Sequence, residues 1–318
     1  MPKVFVTYKI PEVGLKLLCE RYEVEVNLED RFLSSEEITR RANDADALVT
    51  LLADRIDRHV IETLQRVKII ANYAVGFDNI DIEAAKEKGI VVTNTPGVLT
   101  DATADLAIAL LLAVTRRIVE ADEFVREGKF TSWKPELFLG PSLQGKQLGI
   151  VGLGRIGTAV AIRAKAFGMR VVYYKKRRLS EEEENRLGVS YMDLDELLSS
   201  SDFISLHVPF TSETHHLIDE KRINMMKPTA VLINTARGAV VDEKALIEAL
   251  IDRRIWGAGL DVYEFEPRVP EKLKALDNVV LLPHIGSATV ETREKMAIMV
   301  AENVIAVLEG KEPPNRVV

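Results

Sequence analysis

The sequence predicts an α/β fold of two domains, each built on a doubly wound parallel sheet, with a cleft between them. Three observations carry this. The 318 residues exceed what one ordinary core supports. Short β-branched runs alternate with helical patterns in two separate series. The second series opens on a glycine-rich turn set between a strand and a helix.

The first series runs KVFVTY, YEVEVN, DALVTL, KIIANY and GIVVTN, with helical patterns between them, which reads as βαβ repetition. Asp101 to Arg117, DATADLAIALLLAVTRR, is apolar nearly all round. Such a helix is buried on most faces, between domains or subunits, and marks the first crossover. A less regular segment at 128–145 holds Trp133, Pro135 and Pro141. Strand patterns resume with KQLGIV and continue through MRVVYY, FISLHVP, AVLINTA, GAGLDV and NVVLLP. After Gly286 there follow a helix at 289–309 and a short tail; without strands of their own they must pack on an existing core, and the first domain is the place assigned to them. The expected division is 1–98 plus 287–318 for a discontinuous first domain and 99–286 for the second.

A hydrophobic share of 47% with 29% charged residues is that of a soluble globular protein, and no apolar run is suited to span a bilayer. The N-terminus, MPKVFVTYKIP, reads as a first strand and not as a secretory signal, so a cytoplasmic location is expected. The single cysteine, Cys19, excludes an intramolecular disulfide and a multi-cysteine metal site; within VGLKLLCERY it reads as a small buried hydrophobe. A net charge of −7 argues against a nucleic-acid surface, which leaves the basic cluster at 175–178 to be explained separately.

Gly152-Leu-Gly154-Arg155-Ile156-Gly157 follows the apolar strand LGIV and opens the helical pattern TAVAIRAKAFG. In that context the glycines permit a tight turn, close backbone approach to a pyrophosphate and close helix packing, at a helix end that attracts anions. A merely tight βα turn is the plainer alternative. Sites for NAD place an acid about 20 residues further on, where it accepts hydrogen bonds from the ribose hydroxyls. Here MRVVYY runs instead into Lys175, Lys176, Arg177 and Arg178. Cations there suit a 2′-phosphate, so NADP(H) is the expected cofactor, with NAD(H) possible. The alternative is a solvated basic loop pairing with the acidic run Glu181 to Glu184.

Three strand-end segments carry functional side chains: Asn234-Thr-Ala-Arg237-Gly238, Glu264-Phe-Glu266-Pro267 and Pro283-His284-Ile-Gly286. In an open α/β sheet such ends border the ligand crevice. Reducing a 2-oxo acid needs a cation for the carboxylate and ketone, an acid for the developing alkoxide, and an aligned hydride donor. Arg237 and His284 supply the first two. A carboxylate beside the histidine, assigned to Glu266, favours imidazolium and fixes the ring. Each residue alone is unremarkable, since histidines beside proline and Glu-Pro pairs are ordinarily loop or turn residues.

NYAVGFDNIDIEAA, NTPGVLTDATADLAIALLL, GIVGLGRIG, INTARGAVVDEKAL, GLDVYEFEP and LLPHIGSAT resemble, in order and spacing over nearly the whole chain, the D-isomer-specific 2-hydroxyacid dehydrogenases, most closely the glyoxylate/hydroxypyruvate reductase branch. The resemblance implies two similar Rossmann/flavodoxin-like domains, the first binding substrate, the second the dinucleotide, and a homodimer formed through the second. It implies that Arg237 binds substrate, that Glu266 supports His284 and that His284 transfers the proton. Val75 and Gly76 resemble the loop whose N–H groups receive the substrate carboxylate, Leu52 a side chain of the substrate pocket, and Trp133, with Pro135 and Phe138, an aromatic segment of that pocket; a loop packed by its own side chains is the alternative for the last. Thr103, Thr235, Ala236, Asp261 and Gly286 resemble contacts to the cofactor, and His207-Val208-Pro209 its border. The chief departure is the basic run, where NAD-dependent relatives carry an acid.

The expected activity is thus NADPH-dependent reduction of glyoxylate or hydroxypyruvate. Alternatives are another acid for the same machinery, such as 3-phosphoglycerate or a larger 2-oxo acid, or an NAD(P)-sensing protein like the corepressors related to this family. Phosphoglycerate dehydrogenases often carry a regulatory domain for which the chain leaves no room after Val318, and formate dehydrogenases carry Gln where Glu266 stands. His59 lies in an ordinary helical pattern. His215-His216 has no acidic residue at the spacing of a metal motif, and no metal is expected.

Overall fold

Alternating strands and helices produce two sheets in which every adjacent pair of strands is parallel. The structure, a computed structural model, describes all of residues 1–318. It runs β1 (Lys3–Val6), α1 (Glu12–Cys19), β2 (Glu23–Val26), α2 (Ser35–Ala42), β3 (Ala47–Thr50), α3 (Arg58–Thr63), β4 (Ile69–Asn72), α4 (Ile82–Lys88) and β5 (Val91–Thr93). There follow α5 (Thr100–Thr115), α6 (Ile118–Arg126), β6 (Gln147–Val151), α7 (Arg155–Ala166), β7 (Arg170–Tyr174), α8 (Glu181–Leu187), β8 (Ser190–Tyr191), α9 (Leu194–Ser200) and β9 (Phe203–Leu206). The remainder is α10 (Glu220–Met225), β10 (Val231–Asn234), a 3₁₀ turn (Gly238–Val240), α11 (Glu243–Ile251), β11 (Gly257–Leu260), α12 (Glu271–Lys274), β12 (Val279–Leu281) and α13 (Val290–Leu308).

The chain divides into one unit of residues 1–99 with 287–318 and another of residues 100–286. In the first, the strand order is β2-β1-β3-β4-β5. Strands β3 and β4, ALVT and IIAN, are buried at every position, as expected of strands covered by helices on both faces. Helix α13 packs on α1, where Gly14 admits it: a Cβ there would lie 2.5 Å from the Ala297 carbonyl oxygen. Gly14 and Leu18 form the buried stripe of α1, and Cys19, one residue round from it, is exposed. The expectation of a buried thiol therefore fails, because one helical step of about 100° carries the side chain off the apolar stripe.

The second unit has the order β12-β11-β10-β9-β6-β7-β8, with its topological switch between β6 and β9. Ser34, Asp57, Asp81, Ser180, Asp219, Asp242 and Thr289 cap the helices that follow them through side-chain oxygens, which is why those helices begin there. The apolar run starting at Asp101 is helical only to Thr115, after which Arg117 turns left-handed, φ 50°, and α6 begins. Two clusters fill the faces of this sheet: Ile150, Phe203 and Ile233 belong to one, and Val151, Ile204 and Leu232 to the other.

Candidate active site

At the switch point, β6 ends in Val151 and the chain turns through Gly152, Gly154 and Gly157 into α7. Gly152 has φ 99°, and a Cβ on it would fall 2.7 Å from the His207 carbonyl carbon; one on Gly157 would meet the Gly152 oxygen at 2.3 Å. Both positions therefore require glycine for close packing. Gly154 differs: a Cβ on it would meet nothing, and as N-cap it offers no side chain to the N–H groups of α7. Exposed Arg155 and half-buried Ile156 begin that helix. The turn thus keeps backbone donors open at a positive helix end, which fits a pyrophosphate.

His207, Val208 and Pro209 follow β9 beside this turn. His207 Nε2 is 2.8 Å from Ser205 Oγ, and burial pushes the imidazole pKa down to about 4, so the ring is neutral. Thr235 and Ala236 follow β10, where the Oγ1 of Thr235 is buried without a partner in the chain. An orphaned hydroxyl there is consistent with a bound polar group. The sequence reading assigned Asn234 no role, yet it shapes this turn: its Oδ1 accepts from Ala236 N at 3.0 Å and its Nδ2 donates to Arg237 O at 2.9 Å. An asparagine closing an apolar strand is the signal that could have found it.

After β7, the four cations divide. Arg178 donates to Glu184 at 2.8 and 2.9 Å and lies 5.4 Å over the Tyr191 ring, while Glu184 also accepts from Tyr173 Oη at 2.7 Å. Lys176 pairs with Glu213. Lys175 and Arg177 carry no ion pair, so the pairing with the acidic run that stood as an alternative accounts for Arg178 alone.

His284, Glu266, Arg237 and Asp261 sit on the loops after β12, β11 and β10. His284 Nδ1 is 2.8 Å from Glu266 Oε2, and their side chains are 34% and 35% exposed, open enough for a small molecule to reach. Glu266 Oε1 accepts from Tyr263 N at 3.0 Å. Partial burial works against the charge of Glu266, but the hydrogen bond and charge of His284, the Tyr263 N–H and the charge of Arg237 outweigh it and hold the carboxyl below its ordinary pKa. An ionised carboxylate has only acceptors, so His284 Nδ1 carries the proton of that bond and Nε2 is left for other partners. Arg237 Nη1 donates to its neighbour Ala236 O at 2.8 Å. Gly238 lets the 3₁₀ turn press on the Tyr263–Glu264 backbone; a Cβ there would lie 1.8 Å from the Tyr263 carbonyl carbon.

The backbone of His284 is left-handed, φ 54°, a conformation that costs a non-glycine residue ~1 kcal/mol or more. Buried Asp261 holds it: Oδ1 accepts from Ile285 N at 2.7 Å and Oδ2 from Gly286 N at 2.8 Å. Thr103 Oγ1 donates to Gly286 O at 3.0 Å. Asp261 and Thr103, read in the sequence as cofactor contacts, therefore also brace the loop of His284.

In the other unit, Val75 and Gly76 follow β4. Asn94 Nδ2 donates to Val75 O at 2.7 Å and Asn72 Nδ2 to Gly76 O at 2.8 Å, while Thr50 Oγ1 donates to Asn72 Oδ1 at 2.9 Å. With the carbonyls so held, the two N–H groups meet no acceptor of the chain. Leu52 lies on the rim of a depression of about 410 Å³ lined also by Asp54, Asp57, Asp78 and Asp81. Trp133 is 80% exposed. Phe138 is instead packed by Phe124, edge to face at 5.3 Å, and by Arg117, 5.0 Å over its ring.

Residues 108–286 match the family model described as D-isomer specific 2-hydroxyacid dehydrogenase, NAD binding domain. The chain belongs to the D-isomer-specific 2-hydroxyacid dehydrogenase family. It is 57% identical to a glyoxylate reductase of Thermococcus litoralis, covering 99% of this chain and 96% of that one, and 55% identical to one of Pyrococcus furiosus, covering 99% and 95%. A crystal structure of a Thermus thermophilus protein superposes with a TM-score of 0.94 at 51% identity, over 99% of this chain and 100% of that one. An NADPH-dependent glyoxylate/hydroxypyruvate reductase from Sinorhizobium meliloti, in complex with NADP and malonate, superposes with a TM-score of 0.89 at 36% identity, over 100% and 97%. The family matched is one of nicotinamide-dependent dehydrogenases, which the glycine turn and the orphaned Thr235 hydroxyl fit. No helix is long and apolar enough to cross a membrane.

Proposed function

We propose that this protein reduces a small 2-oxo acid, glyoxylate or hydroxypyruvate, to the 2-hydroxy acid, preferring NADPH over NADH. The observation that carries the reading is the His284–Glu266 pair, 2.8 Å apart and partly open to solvent, on the loops that follow β12 and β11. The glyoxylate reductases among its relatives favour this substrate class.

Residues 152–157, Thr235, Ala236, Asp261 and His207–Pro209 would hold the dinucleotide, which when bound supplies the hydride for C2 of the substrate. Lys175 and Arg177, with Lys176, would answer a 2′-phosphate. Arg237 would take the substrate carboxylate; in the other unit, the N–H groups of Val75 and Gly76 are the proposed carboxylate receptor. Arg237 also polarises the ketone, because a fixed cation stabilises the charge that develops on oxygen. His284 gives its Nε2 proton to that oxygen and becomes a neutral imidazole, to be reprotonated from solvent. Glu266 keeps the ring turned so that Nδ1 faces the carboxylate and Nε2 the substrate.

We also propose that two copies pair through the 100–286 unit, covering Ile118, Val119, Phe130 and Trp133, which are exposed in the single chain. Trp133 then meets the partner and not solvent. Light scattering of the purified protein checks the stoichiometry.

The function is tested by following NADPH consumption with glyoxylate, hydroxypyruvate, pyruvate and 3-phosphoglycerate, each repeated with NADH. Turnover fastest with one of the first two, and a lower KM for NADPH than for NADH, is expected. No consumption with any of them would remove the enzymatic reading, and equal or better use of NADH the cofactor preference.

A further inference from the structure

Adjacent histidines normally project apart, since neighbouring side chains on either a strand or a helix do not share a face. His215 and His216 break that rule. His216 has a left-handed backbone, φ 49°, and the two rings stack 4.0 Å apart with an interplanar angle of 19°. Backbone bonds from His215 N to Thr211 O, 2.9 Å, and from His216 N to Ala239 O, 2.8 Å, hold the pair in place. His216 Nε2 is 2.9 Å from Glu264 Oε1, and one ligand atom from each of His215, His216 and Glu264 lies within 4.8 Å of the others. The expectation of no metal rested on spacing along the chain. Glu264 comes from 48 residues beyond His216, a separation only the fold closes.

From this juxtaposition we propose that His215, His216 and Glu264 form a binding site for a divalent transition-metal ion such as Zn²⁺. Two imidazole nitrogens and one carboxylate oxygen are a borderline donor set, suited to Zn²⁺ or Ni²⁺ and poorly suited to Mg²⁺ or Ca²⁺. Bonds of ~2.0–2.2 Å in tetrahedral geometry set donors roughly 3.4 Å apart, so binding turns the exposed His215 ring out of the stack until its lone pair faces the ion. Three protein ligands leave a fourth position for water.

The charge around the site points the same way. Glu264 N donates to Glu243 Oε1 at 3.2 Å and Glu243 N to Glu264 Oε2 at 3.4 Å, which sets two carboxylates face to face at the start of α11. Glu264 has a side chain only 13% exposed, and Glu243 is buried. A cation bound by the first relieves its repulsion with the second. Gly238 packs directly against the backbone that carries Glu264: a Cβ there would lie 2.3 Å from Glu264 N. An ion here ties the loop after β9 to the segment after β11 that carries Glu266, so its expected role is to stiffen that segment. The reduction chemistry is not routed through it, and the site stands whether or not the substrate assignment does.

The test uses the full chain, dialysed against a chelator and titrated with ZnCl₂ by calorimetry. One Zn²⁺ per chain with a Kd in the micromolar range or tighter, a higher melting temperature on loading, and no response to MgCl₂ are expected. His215→Ala, whose exposed ring can be removed without disturbing the Glu264 contacts, should weaken Zn²⁺ binding at least tenfold and leave the melting temperature of the metal-free protein unchanged. Glu264→Gln should weaken binding as well. Absence of Zn²⁺ binding in the wild type, or equal affinity in the wild type and His215→Ala, would overturn the proposal.

Discussion

Asp261 grips the backbone on the far side of His284: its two carboxylate oxygens accept from Ile285 N at 2.7 Å and Gly286 N at 2.8 Å, while His284 itself is left-handed. The strained residue is thus held from below by one carboxylate and at its ring by another, Glu266. These two acids have separable roles.

Asp261→Asn keeps the shape but leaves one of the two N–H groups facing a poorer partner. It is expected to destabilise the fold by about 1–2 kcal/mol and to lower turnover together with it. Thermal denaturation set against the steady-state rate checks both. An unchanged melting temperature would show that the loop holds its shape without the clamp.

Glu266→Gln removes the charge beside His284 Nδ1 while preserving size. Because the partner of Nδ1 fixes the tautomer, turnover should fall roughly tenfold to a hundredfold, with little change in KM. A loss confined to KM would place Glu266 in substrate binding instead.

Arg237→Ala leaves the substrate carboxylate and ketone without their cation. Both KM and kcat should worsen, the combined kcat/KM by roughly 10² or more. Kinetics with glyoxylate as the varied substrate measure this, and near-normal kcat/KM would remove Arg237 from the site.

In the basic run, Lys175→Ala with Arg177→Ala should raise the KM for NADPH about tenfold and leave that for NADH unchanged. Arg178→Ala should lower the melting temperature, since Arg178 is committed to Glu184 and Tyr191. Equal effects of the two changes on NADPH and NADH would rule out a 2′-phosphate site in this loop.

Acid should destabilise the protein partly through His207. Its folded pKa, about 4, lies below the ordinary value of 6.5, so between those values the unfolded chain binds a proton that the folded chain does not. The corresponding stability is fully present above about pH 6.5 and is lost as pH falls toward 4, to a total of about 3 kcal/mol. Denaturant unfolding across that range should show a flatter pH dependence in His207→Gln than in the wild type. Parallel curves would contradict the neutral assignment.

The two parallel sheets were legible because strands buried on both faces appear as continuous apolar runs such as AVLIN and FISL, and the glycine turn because it stands between a strand and a helix. His284, Glu266 and Arg237 could be singled out because each lies in the loop that follows a strand. What stayed hidden lies in contacts between distant segments. The Asn94 and Asn72 bonds to the Val75 and Gly76 carbonyls, the commitment of Arg178 to Glu184, and the meeting of Glu264 with His216 all depend on side-chain directions that no periodicity encodes. Cys19 was misread for a related reason: an apolar neighbourhood in sequence does not say which residue lies one helical step off the stripe.

The most direct measurement is the steady-state rate of NADPH oxidation with glyoxylate or hydroxypyruvate, compared between the wild type and His284→Ala. The wild type is expected to turn over, and the variant to lose roughly a hundredfold or more in kcat while its affinity for NADPH is retained. A variant with near wild-type kcat, or a wild type inactive on both acids, would contradict the account.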